Sequence, residues 1–286
     1  MNTSPATTEV HREAAHAEQV REGQRFEFGA NWARFLRLLD DRRIQQAEQT
    51  LAQMLERSDL KGLSFLDAGS GSGLFSLAAR RLGATVTSVD FDPQSVACTR
   101  ELRRRYFPDD DTWKVLEGSV LDEALISSLG TFDIVYSWGV LHHTGAMWRA
   151  IDSTQRAVKP GGQFFIALYN DQGMRSRVWA GLKRVYCSGP VGRVAVSGVC
   201  MPYFVLTQAL ADVVRFRNPI SHYSDYYRNR GMSVFRDWVD WLGGYPFEVS
   251  SPTATFDFMR ARGFRLDRML STLGSGCNEF VFRREK

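Results

Sequence analysis

Apolar positions along the chain alternate between two spacings, and the alternation lays out strands and helices in turn. Short apolar runs at 63–66, 84–89, 113–116, 131–138 and 163–169 predict buried strands. Between them apolar residues recur at helical spacing. Leu74, Leu77, Ala78 and Leu82 predict a helix stopped by Gly83, and Pro93 suits the first turn of another running to Tyr106. A third is expected over 147–158. Upstream, a polar tail gives way to an alanine- and glutamate-rich helix over 9–24. A second predicted helix, 44–55, carries Ile44, Ala47, Leu51, Met54 and Leu55 on one face. Between these two stand Phe26, Phe28 and Trp32, which either line a lid or pack on the sheet edge. Near the C-terminus a helix begun by Ser251 or Thr253 and ended by Gly263 precedes strands over 264–270 and 278–283.

One segment breaks the rhythm. After the fifth strand a helix of ~10–15 residues is expected, yet the chain runs from 171 to 250 before resuming. Within it, 194–211 is apolar and of about membrane-span length, but Pro202 should break the helix, and Ser197, Thr207 and Gln208 soften it. From Asp171 to Gly231 there are nine Lys/Arg and three Asp/Glu. A buried lid, a homodimer surface and an in-plane contact with anionic lipid are the readings left open, with the buried lid or dimer helix preferred. The chain therefore divides into a helical cover (1–58), a core (59–170), an insertion (171–250) and a return to the core (251–286).

The chemistry concentrates at 63–92. A strand ends in Asp67, then Gly69, Gly71 and Gly73 alternate with small residues. A helix follows, and the next strand ends in Asp90. Glycines let the chain turn sharply and let a ligand approach the backbone. The helix start offers free N–H groups, and an acid at the second strand tip can accept ribose hydroxyls. Leu74 stands where a dinucleotide fingerprint requires a small residue, which disfavours NAD.

The run Asp-x-Gly-x-Gly-x-Gly resembles the first motif of class I S-adenosylmethionine (SAM)-dependent methyltransferases. Two further stretches are similar to that family: Ser137-Trp138-Gly139-Val140-Leu141-His142-His143, and Val158-Lys159-Pro160-Gly161-Gly162 before the fifth strand. The second motif resembles that of ubiquinone-biosynthesis O-methyltransferases, which carry Leu-Glu-His. The resemblance implies an α/β fold, a Rossmann-like doubly wound seven-stranded sheet in the order 3-2-1-4-5-7-6. It implies SAM as cofactor. Asp67, Gly69, Gly71 and Gly73 would surround its amino-acid half, Asp90 would accept its ribose hydroxyls, and Phe91 would be a further cofactor contact. Ser119 and Val120 would meet the adenine, and Ser137 would stand at the fourth strand tip. Ser119 replaces a usual Asp, and Asp122 is a substitute.

His142 and His143 are the candidate general bases, His143 being at the shared family position. Trp32, Asn170, Tyr226, Arg230 and Trp241 are candidate acceptor contacts, though Asn170 has a helix-capping reading as well. The implied acceptor is a small molecule, lipid or glycan precursor methylated on oxygen. The alternatives are methylation on nitrogen and a non-catalytic partner-binding scaffold.

Composition narrows this only a little. At 44% hydrophobic and 24% charged the chain is ordinary for a globular protein. A net charge of +4 without a dense basic block argues against nucleic acid. The four cysteines form no C-x-x-C pair, so neither zinc nor a disulfide framework is expected. A polar start without a signal-peptide core points to the cytoplasm, with membrane association left open by the insertion.

Overall fold

The computed structural model describes residues 17–26, 29–214, 218 and 234–285. The expectations for Phe28, Tyr226 and Arg230, and the first half of the 9–24 helix, lie outside the described residues. Two helices, α1 (Gly29–Leu38) and α2 (Asp41–Leu55), precede the sheet. Then come β1 (Ser64–Ala68), α3 (Leu74–Arg81), β2 (Thr85–Asp90), α4 (Pro93–Tyr106), β3 (Trp113–Glu117), α5 (Glu123–Ser128) and β4 (Phe132–Trp138). A 3-10 turn at Leu141–His143 leads to α6 (Met147–Gln155) and β5 (Val158–Tyr169). The insertion supplies α7 (Met174–Cys187), α8 (Pro190–Val214) and α9 (Val234–Gly243). The return supplies α10 (Pro252–Arg260), β6 (Phe264–Leu270) and β7 (Cys277–Arg284).

The seven strands form one sheet in the order β3-β2-β1-β4-β5-β7-β6. The first five are parallel and β7 runs antiparallel to both neighbours. Strands buried on both faces need apolar side chains pointing both ways, and the sequence supplies them. Phe65, Ile134, Tyr136 and Phe165 pack beneath α2 and α3 on one face. Leu66, Val135, Phe164, Phe280 and Phe282 pack on the other with α6 and α10.

Local rules set the helix starts. Asp40, Asp92, Asp122 and Ser251 each accept a backbone N–H of the first turn of α2, α4, α5 and α10. Asp122 does so through Oδ1, which accepts the Leu125 N–H at 3.0 Å. The fifth strand begins earlier than expected. Val158 pairs with Phe132 and Gln163 with Ile134, so Lys159–Gly162 bulges out between two paired positions instead of preceding the strand.

Pro202 does not break α8, which runs unbroken for 25 residues. Its ring crowds the carbonyl four residues back, which belongs to Gly198. Both residues lie on the exposed face, where water can take the freed carbonyl. Nor is α8 a buried lid. Only 11% of its most apolar stretch is buried. Its inner side meets α7 and α9 in a third cluster of Tyr186, Cys187, Val196, Cys200 and Leu242.

Candidate functional site

The parallel strands direct their C-terminal ends to one edge, and the order reverses between β1 and β4, so a crevice opens there. The glycine loop after β1 forms one wall. Gly69 has φ +94°, and a Cβ on it would meet the Val140 side chain at 2.3 Å, so only glycine lets the β1 and β4 tips come together. A Cβ on Gly71 would approach the Trp32 ring to 3.2 Å, so the indole of α1 lies against the loop.

Asp67 sits beneath this loop, fully buried. Its Oδ2 accepts from Ser76 Oγ at 2.5 Å, Ser76 lies 2.7 Å from Ser88 Oγ, and Trp113 Nε1 donates to Ser88 at 2.9 Å. The indole can only donate, so the donors run in one direction, toward the carboxylate. Asp67 Oδ1 is buried with no hydrogen-bond partner among the described residues. Burial pushes the Asp67 carboxyl up to about 7, with nearby Asp90 adding to the rise and Ser76 opposing it. Asp90 accepts Gly71 N–H at 2.8 Å and Asp92 N–H at 2.9 Å. It is likewise raised by burial, to about 6.

Other expected cofactor residues are placed as follows. Val120 is buried beyond the tip of β3. Ser119 Oγ accepts the Leu121 N–H at 3.1 Å. Ser137 is buried and donates to the Ala68 carbonyl at 2.7 Å, tying β4 to β1. Phe91 lies under the Arg25 guanidinium, 5.1 Å from its ring centre.

Arg25 was not singled out from sequence. It also donates to the His143 carbonyl at 3.2 Å and lies near Asp90 and Asp92. The segment before α1 therefore spans the crevice from β2 to the turn after β4. Phe26 N–H bonds to the Tyr245 carbonyl at 3.0 Å, and its ring packs against Gly243, so the same segment reaches the insertion. Of the aromatic trio, Trp32 covers the glycine loop and Phe26 docks on the insertion.

The two histidines pack into an aromatic group. His142 lies 4.4 Å from His143 and 4.1 Å from Tyr169, and Phe247 lies 5.3 Å beyond Tyr169, ring centre to ring centre. His143 Nδ1 lies 2.6 Å from the Pro246 carbonyl, so that nitrogen carries the proton. His142 Nδ1 accepts the Tyr169 N–H at 3.4 Å. Burial lowers both imidazoles, His143 to about 3 and His142 well below its ordinary value, so both are neutral near pH 7.

Glu248 fixes this group from the end of the insertion. Its N–H donates to the His142 carbonyl, and its carboxylate accepts the first N–H of α6, each at 3.0 Å. Lys183 of α7 is fully buried. Its ammonium donates to the Trp241 carbonyl and lies 4.3 Å from the Trp241 ring and 4.9 Å from Phe247. Burial pushes it down to about 7. Trp241 packs on Trp179 and Phe204 inside the insertion.

Asn170 does not cap α7, whose N-cap position is Gly173 and carries no side-chain cap. Its amide donates to the Thr272 and Gly274 carbonyls and accepts from Asn278, clamping the loop between β6 and β7. Register brings Trp138, Ala167 and Glu279 to one face, with Tyr169 and Cys277 one step along, above the strand tips. Trp138 is 42% exposed there. Among the described residues no cluster of His, Cys, Asp or Glu could hold a metal, and all four cysteines are free.

The sheet order is that of the Rossmann-like methyltransferase fold. Residues 66–166 match the family described as "Methyltransferase domain". Among relatives, a ubiquinone biosynthesis O-methyltransferase of Xanthomonas oryzae pv. oryzae is 31% identical over 114 residues, 40% of this chain and 46% of that one. That of Methylocella silvestris is 34% identical over 111 residues, 39% of this chain and 41% of the relative. The chain thus matches less than half the length of each. Two solved structures are similar in fold. Magnesium protoporphyrin IX methyltransferase from Synechocystis PCC 6803, with bound SAH, has a TM-score of 0.51 at 14% identity, covering 85% of this chain and 83% of its own. An O-methyltransferase family protein from Burkholderia thailandensis has a TM-score of 0.52 at 13% identity, covering 85% and 57%.

Proposed function

We propose that this chain binds SAM in the crevice and transfers its methyl group to an oxygen of a small molecule, lipid or glycan precursor. The observation that carries the reading is Asp67, a buried carboxylate under a glycine loop, one strand away from Asp90, with one oxygen unsatisfied among the described residues. A primary ammonium group would satisfy that oxygen and favour the ionised carboxylate. Asp90 would hold the ribose hydroxyls, Phe91 one face of the adenine, and Ser119 with the Val120 N–H its edge. When bound, SAM supplies an activated methyl group with a good leaving group. What the protein must add is alignment of the acceptor.

Trp138, Tyr169 and Glu279 stand above the strand tips where such an acceptor would lie. His143, a weak base at about 3, acts there by orienting the nucleophile more than by removing its proton. That favours an acceptor hydroxyl acidic enough to ionise by itself. It also favours a second reading, a nitrogen nucleophile that needs no base.

The test is transfer from methyl-labelled SAM into a cell extract, separated into lipid, protein, nucleic-acid and water-soluble fractions, alongside calorimetric SAM binding. Label in the lipid or water-soluble fraction is expected. Label confined to protein or nucleic acid would overturn the acceptor class, and absence of SAM binding would overturn the whole reading.

A further inference from the structure

The α7–α8 hairpin is out of keeping with the rest of the surface. Of the seventeen large exposed apolar residues among those described, eleven lie between Met174 and Val214. Along α8, Val191, Val194, Val199, Tyr203, Leu206 and Leu210 are each more than half exposed. They recur at helical spacing along one broad face of a helix about 37 Å long. A patch this large is not left to water without a reason.

Its charge is equally one-sided. From Gln172 to Ala211 the chain contains no Asp or Glu. Arg175, Arg177 and Arg184 of α7 are exposed, and none forms an ion pair with a described residue. An apolar face accompanied by unneutralised arginines is complementary to a negatively charged lipid surface, whose acyl region takes the apolar side chains and whose headgroups take the guanidinium groups.

We propose that the outer face of the α7–α8 hairpin seats the protein on an anionic lipid bilayer, with α8 lying in the plane of the interface. A spanning orientation would tear Val196 and Cys200 from the cluster they share with Tyr186 and Leu242, and would carry Asp212 and Gln208, which bond to each other, into hydrocarbon. The in-plane orientation keeps all of these contacts. The proposal does not depend on methyl transfer, since it concerns a surface outside the crevice.

The test is co-sedimentation of the full chain with vesicles of phosphatidylcholine containing about 30% phosphatidylglycerol, against phosphatidylcholine alone. Binding to the anionic vesicles, weakened by added salt, is expected. Leu206→Glu with Leu210→Glu should reduce it about tenfold or more. Arg177→Glu with Arg184→Glu should do the same while leaving the apolar face intact. All four side chains are exposed, so far-UV circular dichroism and melting should match the parent. If one pair unfolds, the other decides.

A chain that stays in the supernatant with anionic vesicles overturns the proposal. So does vesicle binding that neither pair reduces. A stable homodimer that fails to bind vesicles and is split by Leu206→Glu with Leu210→Glu would assign the face to a second copy instead.

Discussion

The crevice wall between β1 and β2 and the insertion between β5 and α10 handle buried charge in opposite ways. Under the glycine loop, buried Asp67 and half-buried Asp90 each accept from donors already in place: Ser76 for the first, the Gly71 and Asp92 amides for the second. In the insertion, Lys183 is buried with a carbonyl and two aromatic rings and, among the described residues, no opposing charge. The first arrangement is prepared for a cation and a diol. The second gives up solvation to hold α7 against α9. A buried charge with pre-set partners is a binding device, whereas one without them lowers stability.

Four changes test that contrast, in descending order of expected effect. Asp90→Ala should weaken SAM binding by about a hundredfold or more, because two charge-assisted hydrogen bonds are lost. Retained affinity in calorimetry would remove Asp90 from the site. The second is pH. Asp67 is raised to about 7 and must be ionised to accept an ammonium group, so affinity should be full above pH 7 and fall about tenfold per unit below pH 6. Asp67→Asn should bind more weakly and flatten this slope, and an unchanged slope would assign the titration elsewhere.

Third, Lys183→Met should raise the melting temperature by a few degrees and leave SAM affinity unaltered. The sign follows from the lowered ammonium. Between about 7 and 10.5 the unfolded chain holds a proton that the folded one has released, so parental stability rises with pH there. The variant should lack that rise. A loss of SAM affinity would show that the two regions are not separable. Smallest is Arg25→Ala, which removes one contact each to Phe91 and the His143 carbonyl and should weaken SAM binding only about threefold. An effect as large as that of Asp90→Ala would make the N-terminal segment part of the cofactor site.

The first region was readable in the sequence because its determinants are local. Glycines at alternate positions, an acid at each strand tip and a helix start lie within thirty consecutive residues, and the sheet order was implied by the family that these motifs resemble. The donor relay behind Asp67 was not readable. Ser88 reaches it only because Asp67 pairs with Ser88 across β1 and β2, and Trp113 comes from a third strand. Register between strands decides such contacts, and no spacing along the chain records it.

The insertion hid more. Lys183 falls in a helix whose period gives no sign that a lysine faces inward. Asn170 looks like a cap until β7 is seen beside it, and Glu248 holds a helix that begins 101 residues earlier. Pro202 was expected to stop a helix that in fact continues through it, since solvent on the Gly198 side makes the lost bond tolerable.

The insertion leaves and rejoins the sheet at one place. Asn170 bridges Ser250 as a parallel neighbour, Ser250 N–H reaches the Tyr169 carbonyl, and Asp171 N–H reaches that of Ser250. An excursion whose two ends are already side by side imposes little closure cost on the host, whatever its length. Topologically it is a branch on a stem, not a link in a chain. A lineage could therefore exchange the branch, and with it the surface that the protein presents to its surroundings, without re-registering one strand of the sheet.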